Sequence, residues 1–564
     1  MSADWAQVTL WRSAPLDEHA TSLLATEDTL VQLGEDVFGQ ALGNWTGATA
    51  LLAGMQRNLL KESLEDRITE VSAVRRALQA ASDSVAGVES AVRSAQDYAT
   101  DNGLWIAGDG TVNDEKGLSL TSFTSDDDAE AALADRQAVV DECAARVEEA
   151  VRRAHYVDAD LFALLNGEVL SGNLARRDAS DFKDAERDGA EAGRLDPYGP
   201  PQDSATPAQN AAWWNGLTEK EQNVIRDDHP EWIANRDGLS AKLRNEANAV
   251  LLKRYTKYYT DELDRLGAEF DADPTVETSQ KYVWIRDEVL PALNKLNEIT
   301  APKIDDMGRT VATDRQLLGL TIVPGERVQA VVAVGDVDTA DKVAVFTPGF
   351  TTTVAKLGNY VNKMTDLKVR AEDMGSLNNG VGKSPTVATV TWLDYQAPQW
   401  STVASNNSVL SARTAVAAGS DLADFYQGIN ASRSDDPHLV GLGHSYGSAV
   451  TGAALTKESG VDAAVVFGSP GLPINTVDEL KLHGTLYNEQ ADGDRLVGNS
   501  GATGFDPDRI PGTVQLATGA STSLKGEPLS ASHGHSEYLD DRTTSQNNLA
   551  AVIMEMRDEL VARE

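Results

Sequence analysis

Cysteine is all but missing from this 564-residue chain, where Cys143 stands alone. A single thiol forms no intrachain disulfide and no cysteine-based metal site. It falls on an apolar helical face and reads as a buried structural thiol. Positive charge is scarce too. Against 87 Asp and Glu there are 49 Lys and Arg, a formal net charge of −38. That balance argues against nucleic acid and anionic membrane surfaces as partners, because phosphate binding needs cations to neutralise the backbone. It fits high solubility or a salt-adapted host, and says nothing about a reaction. No stretch approaches the 18 consecutive apolar residues of a membrane span. Met1 to Arg12 lack the basic start and apolar run of a secretory signal, which makes the cytoplasm the default location. Histidine is rare, eight in all, with no ligand spacing, so no metal is expected. No phosphate-binding glycine loop precedes a helix, and no cofactor is expected either.

What is present divides by periodicity. Leu16, Ala20, Leu23, Leu30 and Val37 share one helical stripe, with Leu24, Val31 and Phe38 beside it. After a break at Gly43-Asn-Trp-Thr-Gly47 a longer helix repeats every seven residues. Leu64, Val71, Leu78, Val85 and Val92 mark it, next to Val74, Ala81, Val88 and Ala95. Two Asn-Gly or Asp-Gly steps, at 102–103 and 109–110, predict a hairpin-like insertion. A third helix, capped at Ser125 with Asp126 to Asp128 at the positive end of its dipole, repeats again at Leu133, Val140, Val147, Ala154 and Leu161. Cys143, Ala150, Val157 and Leu164 flank that stripe. Residues 1–165 therefore read as a helical bundle packed along heptad seams, with nothing catalytic in it.

Residues 166–209 are polar and end rich in proline, a linker. Residues 210–308 carry further helices, over 255–267 and 276–299, a segment that packs on or caps the region from 309 onward. From 309 to 564 apolar runs alternate with helices. Leu317 to Val323 and Val328 to Gly335 form an opening hairpin; 343–349, 386–393, 439–442, 463–467, 483–487 and 513–516 supply further strands. Ala412 to Ile429 and a C-terminal stretch, Asn547 to Val561, are helical. The class is α/β with a mostly parallel sheet flanked by helices.

The chemistry centres on Gly443-His-Ser-Tyr-Gly447. It comes after the buried run Leu439 to Leu442 and precedes a small-residue helix from Ser448 to Leu455. Strand, G-x-S-x-G, helix is the pattern of a nucleophile elbow, with glycines where Cβ atoms would collide across the tight turn. A serine hydroxyl needs a base, and the base needs an orienting acid. In this fold the chain order is Ser, acid, His. Ser445 is the nucleophile candidate. Glu489-Gln-Ala-Asp-Gly-Asp494 supplies the acid: Asp494 or Asp492, with Glu489 still in its strand. Ser532-His-Gly-His535 supplies the base, His535 or His533. The oxyanion donors are the N–H of Tyr446, directly after the nucleophile, and one from the loop after the strand at 343–347, Phe350 or Thr351. His444 is expected to pack on the sheet rather than move protons.

Several separated motifs in one order resemble a known family. They are Trp213 to Asn248, Val334 to Gly349, Gly443-His-Ser-Tyr-Gly447, Gly468-Ser-Pro-Gly471 and His535-Ser-Glu-Tyr538. Together they resemble the actinobacterial-type α/β-hydrolases of unassigned function, over roughly residues 210–560. The resemblance implies an α/β-hydrolase fold with a Ser–His–acid site. It favours Asp494, which precedes Arg-Leu-Val as in the family's loop, and His535, which matches the family's His-Ser-x-Tyr step. Pro348-Gly349-Phe350-Thr351 departs from the His-Gly of many lipases. Trp45-Thr46-Gly47 between two helices resembles the WXG family, which implies type VII secretion, an export route needing no signal peptide, or self-association through the bundle. The expected function is a serine esterase acting on a small-molecule or lipid ester or thioester, with a peptidase or amidase within reach. The alternative is a secretion-associated or adhesive binding protein whose hydrolase domain is silent.

Overall fold

The computed structural model describes residues 4–38, 46–114, 117, 126–164, 181–192, 198–272, 275–304, 310–311, 313–376, 384–399, 412–497 and 503–563. Trp45, Ser125 and the side chains of Asp126 to Asp128 lie outside the described residues, as do 166–180 and 193–197 of the expected linker. The chain forms two compact units. One comprises Met1–Ser119, Arg136–Gln202 and Ala212–Ile225; the other comprises Leu120–Asp135, Asp203–Ala211 and Arg226–Glu564.

The first unit is built on α1 (Ala14–Phe38), the 54-residue α2 (Ala48–Asp101), most of α3 (Asp126–Leu164) and α4 (Phe182–Ala192). Val85, Val88, Val92 and Ala95 of α2 mesh with Val147, Ala150, Ala154 and Val157 of α3 around Trp5 and Val8. These are the heptad positions read from the sequence. Earlier in α2 the seam moves: Ile68, Ala73 and Ala77 are buried, while Leu64, Val71, Val74 and Leu78 are only half-buried. The cause is α4, whose Phe182 and Ala185 join Ile68 and Val31. Gly189 crosses α2 so closely that a Cβ would sit 2.3 Å from Thr69 O. Part of the stretch read as linker is thus a packed helix, because Phe182, Ala185 and Gly189 fall on one helical face. In α1 the expected stripe is thin: Ala20 and Val31 are buried, Leu24 and Val37 are exposed, and buried Glu27 pairs with Arg75. The expected insertion is a two-stranded hairpin, Leu104–Ile106 against Val112–Asp114. Cys143 is buried beside Ala99 and Leu104, and burial pushes its thiol up to about 11, which leaves it inert.

The second unit holds an eight-stranded sheet: β1 (Arg315–Thr321), β2 (Gln329–Val334), β3 (Lys342–Thr347), β4 (Val387–Leu393), β5 (His438–His444), β6 (Ala463–Phe467), β7 (Leu486–Glu489) and β8 (Val514–Leu516). The order across it is β8-β7-β6-β5-β3-β4-β2-β1. β1 and β2 form the expected antiparallel hairpin, β2 meets β4 antiparallel, and all other neighbours are parallel. Period-two alternation then sends side chains to two faces. Ala344, Phe346, Val440, Leu442, Val465 and Phe467 pack with α6 (Leu357–Gly375) and α9 (Thr544–Ile553). Val343, Val345, Leu439, Ala464 and Val466 pack with α7 (Ala412–Ala431) and α8 (Tyr446–Ala454).

The helical segment before the sheet includes α5 (Ala241–Ala272) and covers the edge strand. Asn245 and Asn235 side-chain oxygens accept the N–H groups of Leu317 and Leu320, each at 2.8 Å, removing donors that an open edge would leave for another strand. Three expected elements shift. The helix read over 255–267 is longer and runs over Ala241–Ala272. The strand read at 483–487 runs instead over Leu486–Glu489; Gly484 presses against Asp462 O, where a Cβ would lie 2.5 Å away. The C-terminal helix ends at Ile553, not Val561, because the chain reverses at Glu555, φ 57°, and returns to β8, where Ala517 N–H donates to Val561 O.

Candidate active site

Every candidate residue lies at or beyond the C-terminal end of a parallel strand, where α/β sheets place their ligand crevices. Ser445 directly follows β5 and stands at the N-cap position of α8 with φ 55° and ψ −129°, a conformation that costs a non-glycine residue roughly 1–3 kcal/mol. The surroundings enforce it. Gly443 passes Ser448 Cα, where a Cβ would lie 2.7 Å away, and Gly447 lies against β3, where a Cβ would stand 2.1 Å from Thr347 O and 2.8 Å from Pro348 O. Those neighbours are buried backbone and cannot yield. Gly447→Ala is therefore expected to lower stability by about 3 kcal/mol or more, seen as a fall in the thermal transition of the second unit. An unchanged transition would mean that the elbow has room these distances deny it. Ser448 Oγ lies 2.6 Å from both Ser445 O and Ser469 Oγ, a hydroxyl pair that ties the elbow to the loop after β6.

The oxyanion candidates come from β3. Gly349 runs so close to the elbow that a Cβ would sit 2.7 Å from Ser445 Cβ and 2.8 Å from Tyr446 N, which brings the chain at Phe350 close to Ser445. Thr351, at φ 64°, spends its N–H on Pro398 O at 2.9 Å.

The acid and base candidates separate cleanly. Asp492 and His533 are both exposed and pair through their backbones as a parallel bridge, with Gly534 N–H donating to Asp492 O at 2.9 Å. That register sets Asp494, two residues on, against His535, also two residues on. His535 Nδ1 lies 2.9 Å from Asp494 Oδ2 and 3.1 Å from Oδ1. The carboxylate only accepts, so Nδ1 carries the proton and Nε2 is the basic nitrogen. Burial works against a charged Asp494, but the hydrogen bonds from His535, Leu496 N–H and the Tyr538 hydroxyl outweigh it and hold the carboxyl below its usual range. Glu489 stays in β7, buried and turned to Ser545. The Ser445 hydroxyl makes no hydrogen bond within the described residues; such contacts commonly close only with substrate bound.

His444 does pack on the sheet, its ring 5.4 Å from that of Phe467, but it also reaches the site, with Nε2 2.8 Å from His535 O. Burial first, then the neighbouring His535, pushes it down to about 3, so it stays neutral. Tyr538 donates to Asp494 Oδ2 at 2.8 Å. In the sequence it is one member of a motif with no part of its own, because a tyrosine three residues past a histidine has no spacing signature. No group of three or more His, Cys, Asp or Glu side chains among the described residues is arranged to hold a metal. No described helix is long and apolar enough to cross a membrane.

A mostly parallel sheet in this order, with a serine held at positive φ between its fifth strand and the next helix, defines an α/β-hydrolase fold. Residues 324–500 match the family described as alpha/beta hydrolase. An uncharacterized protein of Mycobacterium tuberculosis is 30% identical over 257 residues, spanning 44% of this chain and 91% of the relative. A second from that organism is 26% identical over 289 residues, 48% of this chain and 40% of its own length. The chain belongs to the α/β-hydrolase family. Among solved structures, a cold-adapted esterase from an Arctic intertidal metagenomic library overlaps with a TM-score of 0.26 at 11% identity, covering 44% of this chain and 95% of its own. The esterase domain of a Rhodothermus marinus protein overlaps at 0.25 and 14%, covering 44% and 100%. Both overlaps are too low to bear on the chemistry.

Proposed function

We propose that this protein is a serine hydrolase that cleaves a carboxylic ester or thioester through an acyl-enzyme. Ser445 Oγ attacks the carbonyl carbon while its proton passes to His535 Nε2. The resulting oxyanion is held by the N–H groups of Tyr446 and Phe350, helped by the positive end of α8; Thr351 is passed over because its N–H is committed elsewhere. The carbon–oxygen or carbon–sulfur bond breaks as His535 returns its proton to the leaving group. Water, activated by the same nitrogen, then releases the acid. Asp494 orients the imidazole and balances its charge. The observation that carries this reading is the buried Asp494 carboxylate bonded to His535 Nδ1, beside a serine at positive φ.

A fluorophosphonate probe is expected to label the intact protein at Ser445, located by peptide mass spectrometry. Failure of folded protein to react would count against the reading and for a silent hydrolase domain. An acyl chain-length series of esters and thioesters then ranks substrates. For the helical N-terminal region, a WXG-like part in type VII export or self-association rests on Trp45-Thr46-Gly47 and the heptads alone, and ester turnover does not bear on it.

A further inference from the structure

We propose that His444 and Tyr538 are positioning residues that hold the Asp494–His535 pair in register with the nucleophile. This rests on the reading of Ser445 as nucleophile and His535 as base.

The two side chains grip opposite members of the pair. Tyr538 donates its hydroxyl to Asp494 Oδ2 at 2.8 Å and accepts Ala491 N–H at 2.9 Å, so the carboxylate is tied to the start of its own loop. His444 donates Nε2–H to His535 O at 2.8 Å. His444 adjoins Ser445 in the chain, so this bond fastens the main chain of the base to that of the nucleophile across 91 residues. The grips share one floor. Phe467 lies 5.4 Å from the His444 ring and 5.6 Å from the Tyr538 ring, and the two rings are 5.9 Å apart. The His535 ring stands 4.8 Å from that of His444. Gly468, at φ 57°, leaves the space in which they meet: a Cβ there would lie 3.1 Å from Tyr538, 3.2 Å from Asp494 and 3.2 Å from His535.

Filling space does not account for this pair of residues. Tyr538 is 1% exposed and His444 8%, and burying a phenol or an imidazole costs free energy unless its polar atoms are paired. Leucine or phenylalanine would fill the same volume without that cost. Here the Tyr538 hydroxyl and His444 Nε2 are spent on the acid, the base and the acid's own loop. Burial also keeps His444 uncharged, pushed down to about 3, so its donor is unaltered across the working pH range.

The hydroxyl on Asp494 has an electronic consequence as well. A donated hydrogen bond weakens the carboxylate as a base. Without it, Asp494 holds an imidazolium more tightly, and the acid limb of kcat/KM moves to higher pH.

The test uses the full chain, with turnover of a short-chain p-nitrophenyl ester normalised to the serine titrated by a fluorophosphonate, so that only folded sites count. Tyr538→Phe is expected to lower kcat about tenfold, leave KM unchanged, and shift the acid limb upward. His444→Gln, whose amide reaches the position of Nε2, is expected to stay within about threefold of wild type, while His444→Leu loses about tenfold. A Tyr538→Phe profile superimposed on that of wild type would overturn the proposal, as would equal losses in His444→Gln and His444→Leu. If wild type takes up no fluorophosphonate, the functional reading itself fails, an outcome distinct from either.

Discussion

Alanine at position 445 is expected to reduce ester turnover by on the order of 10⁴-fold or more, leaving only what the oxyanion site contributes without a nucleophile. The thermal transition should barely move, because alanine carries the same Cβ through the same φ of 55°. Glycine at 445 separates the two effects further. It removes the hydroxyl and the backbone strain together, so it should be as inactive as alanine and more stable by about 1 kcal/mol. An inactive but stabilised Ser445→Gly would show that the elbow holds its serine at a cost in folding. The same assay divides the aspartates. Asp494→Asn should lose on the order of 10³–10⁴-fold in kcat, since an amide can present its N–H to His535 and invert the tautomer. Asp492→Asn, altering an exposed side chain whose backbone does the pairing, should stay within about twofold of wild type. Equal losses at both positions would sink the assignment.

The second large effect concerns stability. Glu489 is 0% exposed on β7. Burial pushes its carboxyl up to about 8, against hydrogen bonds from Ser545 and Asn548 that favour its charge. Oε1 has no partner among the described residues. With the folded value raised above the unfolded one, the folded state keeps a proton that the unfolded chain gives up. Stability from this group is therefore complete below about pH 4.5, declines as pH rises toward 8, and levels off beyond. Glu489→Gln removes the titration. It should match wild type at pH 4.5 and exceed it by on the order of 3 kcal/mol at pH 8, several degrees by scanning calorimetry. Melting curves for the two proteins that run parallel across this range would refute the buried neutral carboxyl.

Much of the hydrolase unit was legible in the sequence because its strands are buried on both faces. Such strands appear as unbroken apolar runs bounded by turns, and Ala463–Phe467 falls where the run predicts. Gly443 and Gly447 were readable because steric necessity admits one residue type at each. What stayed hidden depends on partners distant in the chain. Thr351 N–H is taken by a carbonyl at Pro398, and the backbone at His533 and Gly534 sets the register that brings Asp494, not Asp492, to His535. Heptads predicted the α2–α3 seam over Val85 to Ala95 and Val147 to Val157. They misplaced it near Ile68 because a third helix, α4, rotates the buried face there. Tyr538 was legible only as the last residue of a motif, without a role, since the carboxylate it holds is 44 residues away.

That distance has a bearing on synthesis. Ser445 leaves the ribosome with β5, but His535, the proposed base, emerges about 90 residues later, behind three more strands. Because domains assemble as the chain emerges, the elbow forms and waits, chemically mute, while the rest of the sheet is still being made. On the proposed reading, reactivity waits until the stretch that carries His535 has docked. A nascent or prematurely ended chain would therefore carry a well-formed serine that harms nothing around it.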